Sequence, residues 1–492
     1  MYVHKNGWQG KILVANLSQG TIETQPLDMN IARAFIGGRG LGVRLLWDLV
    51  NSNIDPLSRD NVLIFATGPL GAAGVETGNR FSVSTKSPLT NTVCDANSGG
   101  KWGTYLKQAG YDALIVKGRA KSPVYLEITP NSANIADAAH LWGLPVFETT
   151  EQLRRHTSER SVLCIGPAGE NLVRFAAIMN DATRAAARGG PGAVMGSKRL
   201  KAIMLERGKK STFDNQVYMR DEMRLTQDTA CETCVIACAR QIETLHAGHK
   251  GPKHKSHWAF DVMCNIDNPE ITATVHHICN NMGLDFISTA ATIACAMELS
   301  TQGQLDISLR SGRADLLYQT IEDIAYRHAI GDKLAEGSAR LATSCGVPEL
   351  SLSIRRGKTP LDTSHGLQDE VDTVVRYQNH QAIIDSLIMC RFVNIAIAET
   401  DIACFLTEIT GIDYSAGELI RTGERIWNME QLYSLRESFT HADEAPSPGS
   451  MPEDYYHARG WNRNGVPKPA KLEELGLTSC GLARKSGTPA EN

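Results

Sequence analysis

The chain is poor in the features that would settle its class at once. It has no excess charge of either sign: 50 Lys and Arg stand against 54 Asp and Glu over 492 residues, a net charge of −4. That balance excludes a basic field for nucleic acid and a polyanionic tail. No run of residues approaches the roughly 18 consecutive apolar positions that a membrane-crossing helix needs. The start, "MYVHKNGWQGKILVANL", lacks a charged n-region followed by a long apolar stretch. We therefore expect no signal peptide and a cytoplasmic protein. Twelve cysteines are too few in a chain this long for a disulfide scaffold, so metal binding or ordinary burial is expected of them. Internal repeats are absent too. What remains is an ordinary globular composition, 42% apolar and 21% charged, long enough for two or three domains.

The texture changes along the chain. Up to about residue 205, short apolar runs such as "KILVANL", "NVLIFATG", "DALIVKG", "VYLEIT", "SVLCIG" and "LKAIMLE" alternate with Gly, Pro, Asn and Asp, which predicts strands. Two helices are expected among them, "NIARAFIGGRGLGVRLLWDLV" and "VFETTEQLRRHTS". Beyond about residue 215, "DFISTAATIACAMELSTQG", "LYQTIEDIAYRHAIGDKLAEGSARLATSCG" and "AGELIRTGERIWNMEQLYSLRESF" carry helical periodicity. The polar stretch 206–222 reads as a linker, and "APSPGSMP" (445–452) as a loop before a last short helical segment.

"CETCVIACAR" (231–240) places Cys231, Cys234 and Cys238 within eight positions. C-x2-C-x3-C offers three soft thiolates on a tight turn, which suits zinc or an iron–sulfur cluster. A fourth ligand can come from afar, and Cys390 in "IIDSLIMCRF" is one candidate. A zinc site would instead pair Cys231 and Cys234 with His246 and His249 of "HAGH", at a spacing tighter than a zinc finger's.

Three glycine-rich segments each join bare backbone to a cation: "TGNRFSVSTKSP" (77–88), "DANSGGKWG" (95–103) and "RAAARGGPGAVMGSK" (184–198). Glycine lets backbone N–H groups approach an anion, and arginine binds phosphate bidentately. Singly each reads as a turn; together they favour a cradle for a large phosphorylated cofactor. None is a standard nucleotide loop, because Ser197 separates Gly196 from Lys198 where a Walker A loop has Gly-Lys. "GGRGLG" (37–42) departs from G-x-G-x-x-G and lies in a helical pattern.

These residues carry a resemblance. With "GWQGKILVANLSQGTIE", "AGYDALIVKGRAKSPVY", "IGPAGENLVRFAAIMND", "MGLDFISTAATIACAMEL", "GDKLAEGSARLA" and "GERIWNMEQLY", in order over nearly the whole chain, the sequence resembles the aldehyde ferredoxin oxidoreductase family of tungsten bis-pterin enzymes. The resemblance implies an α+β fold: a β-sheet cofactor-base domain at 1–206 and two mainly helical domains at 207–353 and 354–492. It implies a [4Fe–4S] cluster on Cys231, Cys234, Cys238 and Cys390. It also implies a tungsten or molybdenum bis-pterin cradled by Arg80, Asn97, Ser98, Gly99, Gly100, Arg188, Gly189 and Gly190. The family's two D-x-x-G-L-(D/C) motifs match "NNMGLD", with Asn280 and Asp285, and "DSLIMC", with Asp385 and Cys390.

Departures accompany the match. Asn280 replaces the leading aspartate of the first motif and loses its charge. Ile388 replaces the glycine of the second, which predicts a backbone shift. Lys255 of "PKHKSHWAF" stands where the family has an active-site glutamate, and its ordinary reading is a solvated cation. One block is missing between "LKAIMLERG" and "CETC". Another is missing after "DTSHGL", where the family's active-site histidine would follow. His380 lies nearby, and His365 belongs to the "HGL" turn. Lys255 and His380 are thus the weak catalytic candidates, and a rebuilt substrate side is expected.

The activity implied is oxidation of an aldehyde to a carboxylic acid, with electrons passed through the cluster to ferredoxin; oligomerisation is left open. The alternative is a degenerate member that serves as an iron–sulfur electron-transfer or assembly subunit. A zinc-stabilised structural protein ranks last.

Overall fold

The computed structural model describes residues 7–72, 78–155, 157, 159–208, 254–307, 314–351, 371–390, 397–437 and 453–480. Cys231, Cys234, Cys238, His246, His249 and His365 lie outside the described residues, as does nearly all of the expected linker and the 445–452 loop. Lys255 falls in a described helix, but its side chain lies outside what is described.

Two six-stranded sheets form the first part. One contains β1 (Lys11–Asn16), β2 (Thr21–Pro26), β3 (Leu63–Ala66), β4 (Phe81–Lys86), β5 (Val93–Ser98) and β6 (Ala113–Lys117), ordered β2-β1-β6-β3-β4-β5. The other contains β7 (Val124–Ile128), β8 (Ala133–Asp137), β9 (Arg160–Cys164), β10 (Ile178–Asn180), β11 (Arg184–Ala186) and β12 (Leu200–Glu206), ordered β11-β10-β9-β12-β7-β8. All six sequence runs read as strands are strands, and the reason the first of them is apolar on both faces is visible. On β1, Leu13 and Ala15 enter the core shared with the second sheet, while Ile12 and Val14 enter one shared with C-terminal helices. A strand covered on both faces carries no polar alternation.

The first part also holds α1 (Met29–Phe35), α2 (Gly38–Leu49), α3 (Trp102–Gln108), α4 (Val146–Arg154), α5 (Pro167–Glu170) and α6 (Pro191–Ser197). The single helix expected over "NIARAFIGGRGLGVRLLWDLV" is two, divided at Ile36 and Gly37. A Cβ on Gly37 would crowd Thr67 O at 2.5 Å and Ser386 O at 3.0 Å, so the chain must turn where backbone presses on backbone. Two of the three glycine-rich segments also proved to be largely strand: β4 and β5 pair antiparallel, with Ser82 opposite Asn97.

The helical part comprises α7 (His254–Cys264), α8 (Pro269–Met282), α9 (Phe286–Thr301), α10 (Ala314–Tyr326), α11 (Ile330–Leu334) and α12 (Ser338–Ser344). It continues with α13 (Val371–Leu387), α14 (Glu399–Thr410) and α15 (Ala416–Arg436), then short helices at Glu453–Ala458 and Pro469–Glu474. The expected helix over 317–346 is thus three. Helices α7 to α12 share a core with Phe175, Ala176 and Ala193 beside the second sheet. Helices α13 to α15 pack on β1, β3 and β6 of the first. The fold is α+β, a paired-sheet base flanked by two sets of helices.

Candidate functional site

Strand alternation decides what β4 and β5 present. Phe81, Val83, Cys94 and Ala96 point into the inter-sheet core. Ser82, Ser84, Asp95 and Asn97 therefore share the opposite face, towards α2, α13 and α15. Just before β4, Arg80 donates through Nε to Asn97 Oδ1 and through Nη2 to Asn97 O at 3.4 Å. Ser98 is buried, and Gly100, at φ +119°, packs a bare Cα near Asn180, whose Nδ2 donates to Gly99 O at 2.5 Å.

The third segment adjoins these. Arg188 O accepts from Cys94 Sγ at 2.8 Å and Gly189 O from Ser87 Oγ at 2.7 Å, which ties the turn to β5 and to the end of β4. Gly189 and Gly190 both take φ near +79°, and a Cβ on Gly190 would overlap Arg174 O, so only glycine fits there. Lys198, from the loop that resembled a nucleotide motif, turns inward and donates to Asn61 O at 2.5 Å and Gly118 O at 3.1 Å. Burial, then Arg119, pushes its pKa down to about 7.

The two D-x-x-G-type motifs end their helices alike. α8 stops at Gly283 (φ +76°) with Leu284 N donating to Cys279 O; α13 stops before Ile388 (φ +60°) with Met389 N donating to Ile384 O. Each bond spans five residues, the closing bond of a left-handed helix cap. Ile388 thus keeps a glycine-like backbone, which corrects the expected shift. Its side chain is buried against Gly38, where a Cβ would overlap both Ile388 Cδ1 and Asp385 O.

Asp285, after the first cap, starts α9 by accepting from Ser288 N and Ser288 Oγ, and pairs with Arg188 Nη1 at 3.7 Å. Asn280 turns towards His276 Nδ1 on its own helix, at 3.4 Å. Asp385, before the second cap, meets Arg39 Nη1 at 3.3 Å. Arg39 forks onto Glu430 with Nε–Oε1 2.7 Å and Nη2–Oε2 2.8 Å and lies 5.0 Å from the Trp427 ring centroid. Burial works to lower the Arg39 pKa, but Glu430 and Asp385 outweigh it and hold the guanidinium more firmly charged than usual. Burial, then Asp385, pushes Asp95 up to about 6 against the pull of Ser82 and Arg39.

Arg80, Asn97, Ser98, Gly99, Gly100, Arg188, Gly189, Gly190, Asp285 and Asp385 therefore gather around β4, β5 and two helix ends. Cys94 marks the junction, its thiol raised by burial and then by Asp95 and Asp285 on either side. Arg80, Asp95, Asn97 and Arg188 are half-buried, and the partly free surface beside β4, β5 and the Arg188 turn forms a recess between these segments. Asn97 Nδ2 and Arg188 Nη1 are buried without a hydrogen-bond partner among the described residues. Buried donors of this kind fit a group rich in acceptor oxygens. Cys390 follows Ile388, half-buried and free of any disulfide. His380 lies on α13 and bonds Glu399 at 2.8 Å.

Asp95, Arg39 and Glu430 were not singled out in the sequence. The available signal was a charge inside otherwise apolar or glycine-rich text: "DANSGG", "GGRGLG" and "WNMEQLY".

Two family profiles match the chain. The one described as "Aldehyde ferredoxin oxidoreductase, N-terminal domain" matches residues 12–207, and "Aldehyde ferredoxin oxidoreductase, domains 2 & 3" matches 174–368 and 357–477. A tungsten-containing aldehyde ferredoxin oxidoreductase of Pyrococcus furiosus is 34% identical, covering 95% of this chain and 98% of that protein. One from Thermococcus kodakarensis is 32% identical with the same coverage. An "Aliphatic sulfonate oxidoreductase, WOR-like subunit" of P. furiosus is 25% identical over 96% of this chain and 97% of its own. The solved active-site complex BamBC of benzoyl coenzyme A reductase shares the fold, with TM-score 0.83 and 22% identity over 97% of this chain and 98% of that one. By sequence over nearly its whole length, the chain belongs to the aldehyde ferredoxin oxidoreductase family.

Proposed function

We propose that the chain is a tungsten- or molybdenum-pterin oxidoreductase that takes an aldehyde or related carbonyl to a carboxylic acid. In this reading two electrons leave through a [4Fe–4S] cluster on Cys231, Cys234, Cys238 and Cys390 to ferredoxin, in the cytoplasm. The observation that carries it is the convergence of Arg80, Asn97, Arg188, Asp285 and Asp385 on one recess, with Asn97 Nδ2 and Arg188 Nη1 buried there and making no hydrogen bond among the described residues. We assign the base to residues 1–206 and the closing helices to 207–353 and 354–492.

The metallopterin would supply oxo transfer and redox capacity. The chain's own residues do the rest. Arg80 and Arg188 would present charge to the cofactor's phosphate oxygens, with Gly99, Gly100, Gly189 and Gly190 keeping the backbone bare beside them. Asp285 and Asp385 would accept hydrogen bonds from amino groups of the bound pterin. The apolar wall of α13, with Ile384, Leu387 and Ile388 fully buried, keeps water away from that side.

A second reading, an iron–sulfur electron-transfer or assembly subunit, is favoured by one observation: Asn280 spends its amide on His276 within its own helix. Anaerobic dye reduction separates the two. The leading reading expects reduction that depends on an added aldehyde. It also expects Arg80→Ala to lose pterin but keep iron, and Cys390→Ala to lose or convert the cluster. Dye reduction with no aldehyde dependence, in protein that holds iron, supports the second reading.

A further inference from the structure

Beside the recess lies a charged group that the proposed chemistry does not use. One guanidinium, Arg39, faces two carboxylates, Asp385 and Glu430, with all three side chains no more than 5% exposed. Among the described residues, these three groups sum to one negative charge. Asp95 reaches them from β5 and interacts with each, so an ionised Asp95 would raise the sum to two negative charges. Low-dielectric surroundings make such an excess costly unless a proton neutralises it.

Arg39 directs its hydrogen bonds elsewhere, so its charge favours an ionised Asp95 only through space. Its Nε and Nη2 are forked onto Glu430, and its Nη1 goes to Asp385. The hydrogen-bond partners of Asp95 are hydroxyls, with Ser82 Oγ on Oδ1 and Ser84 Oγ at 3.4 Å from the same oxygen. Among the described residues, other charges on the elements packed around it have neighbours of their own. Lys86, farther along β4, pairs with Glu437, and Arg184 of β11 packs beside Gly100. Cys94, its neighbour on the strand, belongs to the opposite face. Asp95 sits two residues before Asn97 on the same strand face, so its free oxygen shares the recess with the cradle residues.

We propose that Asp95 is a proton-carrying positioning residue: while it holds its proton, its neutral carboxyl leaves the charge of Arg39 to Asp385 and Glu430 and keeps Asp385 an ionised acceptor facing the cofactor, and loss of that proton as pH rises places a like charge beside Asp385. This inference rests on the cofactor-facing role proposed for Asp385. The proton resides on Asp95 and is lost to solvent when pH rises. An asparagine in its place would keep the neutral, hydrogen-bonding shape.

The test is an infrared pH titration of the anaerobically purified full chain, following the C=O band of protonated carboxyl groups. Pterin content is measured alongside, from the fluorescence of the oxidised pterin released on denaturation. Wild type should show a band that fades with a midpoint near pH 6. Asp95→Asn should lose that band and retain its pterin. Asp385→Asn, which removes the like charge, should move the midpoint to lower pH. Ser82→Ala, which removes a donor to the ionised form, should move it to higher pH and serves if Asp95→Asn does not fold. A band that persists in Asp95→Asn, no titrating band in wild type, or a midpoint unmoved by both other variants would overturn the proposal. So would loss of pterin in Asp95→Asn as complete as in Arg80→Ala. Wild type without pterin would instead defeat the metallopterin reading, while the infrared arms still decide where the proton lies.

Discussion

Asp95 shows how a single side chain links fold stability to the site. Its folded pKa lies near 6, above the 3.8 of an ordinary aspartate, because burial and Asp385 penalise the charge. A raised pKa means the folded protein holds this proton more tightly than the unfolded chain. Its contribution to stability is therefore fully present below about pH 4 and is lost as pH rises through about 6. Each tenfold gain in proton affinity is worth roughly 1.4 kcal/mol, so the contribution is about 3 kcal/mol. Asp95→Asn should flatten the fall in denaturant midpoint between about pH 4 and pH 8 relative to wild type. Parallel profiles for the two proteins would contradict the assignment. Arg39→Met should cost roughly 3–5 kcal/mol of unfolding free energy, because it leaves Asp385 and Glu430 buried without their cation. A change within experimental error would show that the two carboxylates do not depend on it. The sequence displayed these residues without their meaning. Arg80, Asn97 and Arg188 stood out because glycine surrounds them, whereas Arg39, Asp95 and Glu430 acquire their roles only from contacts between distant parts of the chain, those of Arg39 spanning more than three hundred positions.

At the scale of elements, local chemistry was legible where it is self-contained. The six strand runs and the helical periodicity of α9, α10 and α15 all follow from nearby residues. The break between α1 and α2 was not legible, because its cause is the backbone of Thr67 and Ser386 pressed against Gly37. Strands β4 and β5 were hidden for a related reason. Their outward positions carry Ser, Asp and Asn for the recess, so the sequence lacks the apolar run that marks their neighbours.

Ile388 is the reverse case, a residue that reads as wrong for its place until its neighbour is seen. A β-branched residue at positive φ costs about 1–2 kcal/mol, and its buried side chain offsets this by filling the space that Gly38 leaves open. Gly38→Ala should therefore destabilise by about 1–3 kcal/mol in thermal unfolding. Combining it with Ile388→Ala should recover only part of the loss, since Asp385 O still obstructs the added Cβ. Full additivity of the two substitutions would mean that the side chains do not meet.

Across the whole molecule, the two sets of helices do not form independent cores. Helices α13 to α15 share theirs with β1, β3 and β6, and α7 to α12 share theirs with Phe175, Ala176 and Ala193 beside the second sheet. The recess lies where these cores approach, and side chains from both motif helices reach it. The alignment with the P. furiosus relative spans 596 positions against 492 residues here, so at least a hundred aligned positions have no residue of this chain. A member of the family that keeps its cofactor-facing residues while lacking so much sequence is expected to have a different substrate side.

If the recess holds a metallopterin and the cysteines hold iron, both metals must travel with the protein. Elemental analysis of the anaerobically purified full chain for tungsten, molybdenum, iron and zinc tests this most directly. About one tungsten or molybdenum and about four irons per chain are expected. Iron without tungsten or molybdenum would contradict the oxidoreductase reading, and zinc without iron would overturn the assignment of Cys231, Cys234, Cys238 and Cys390 as well.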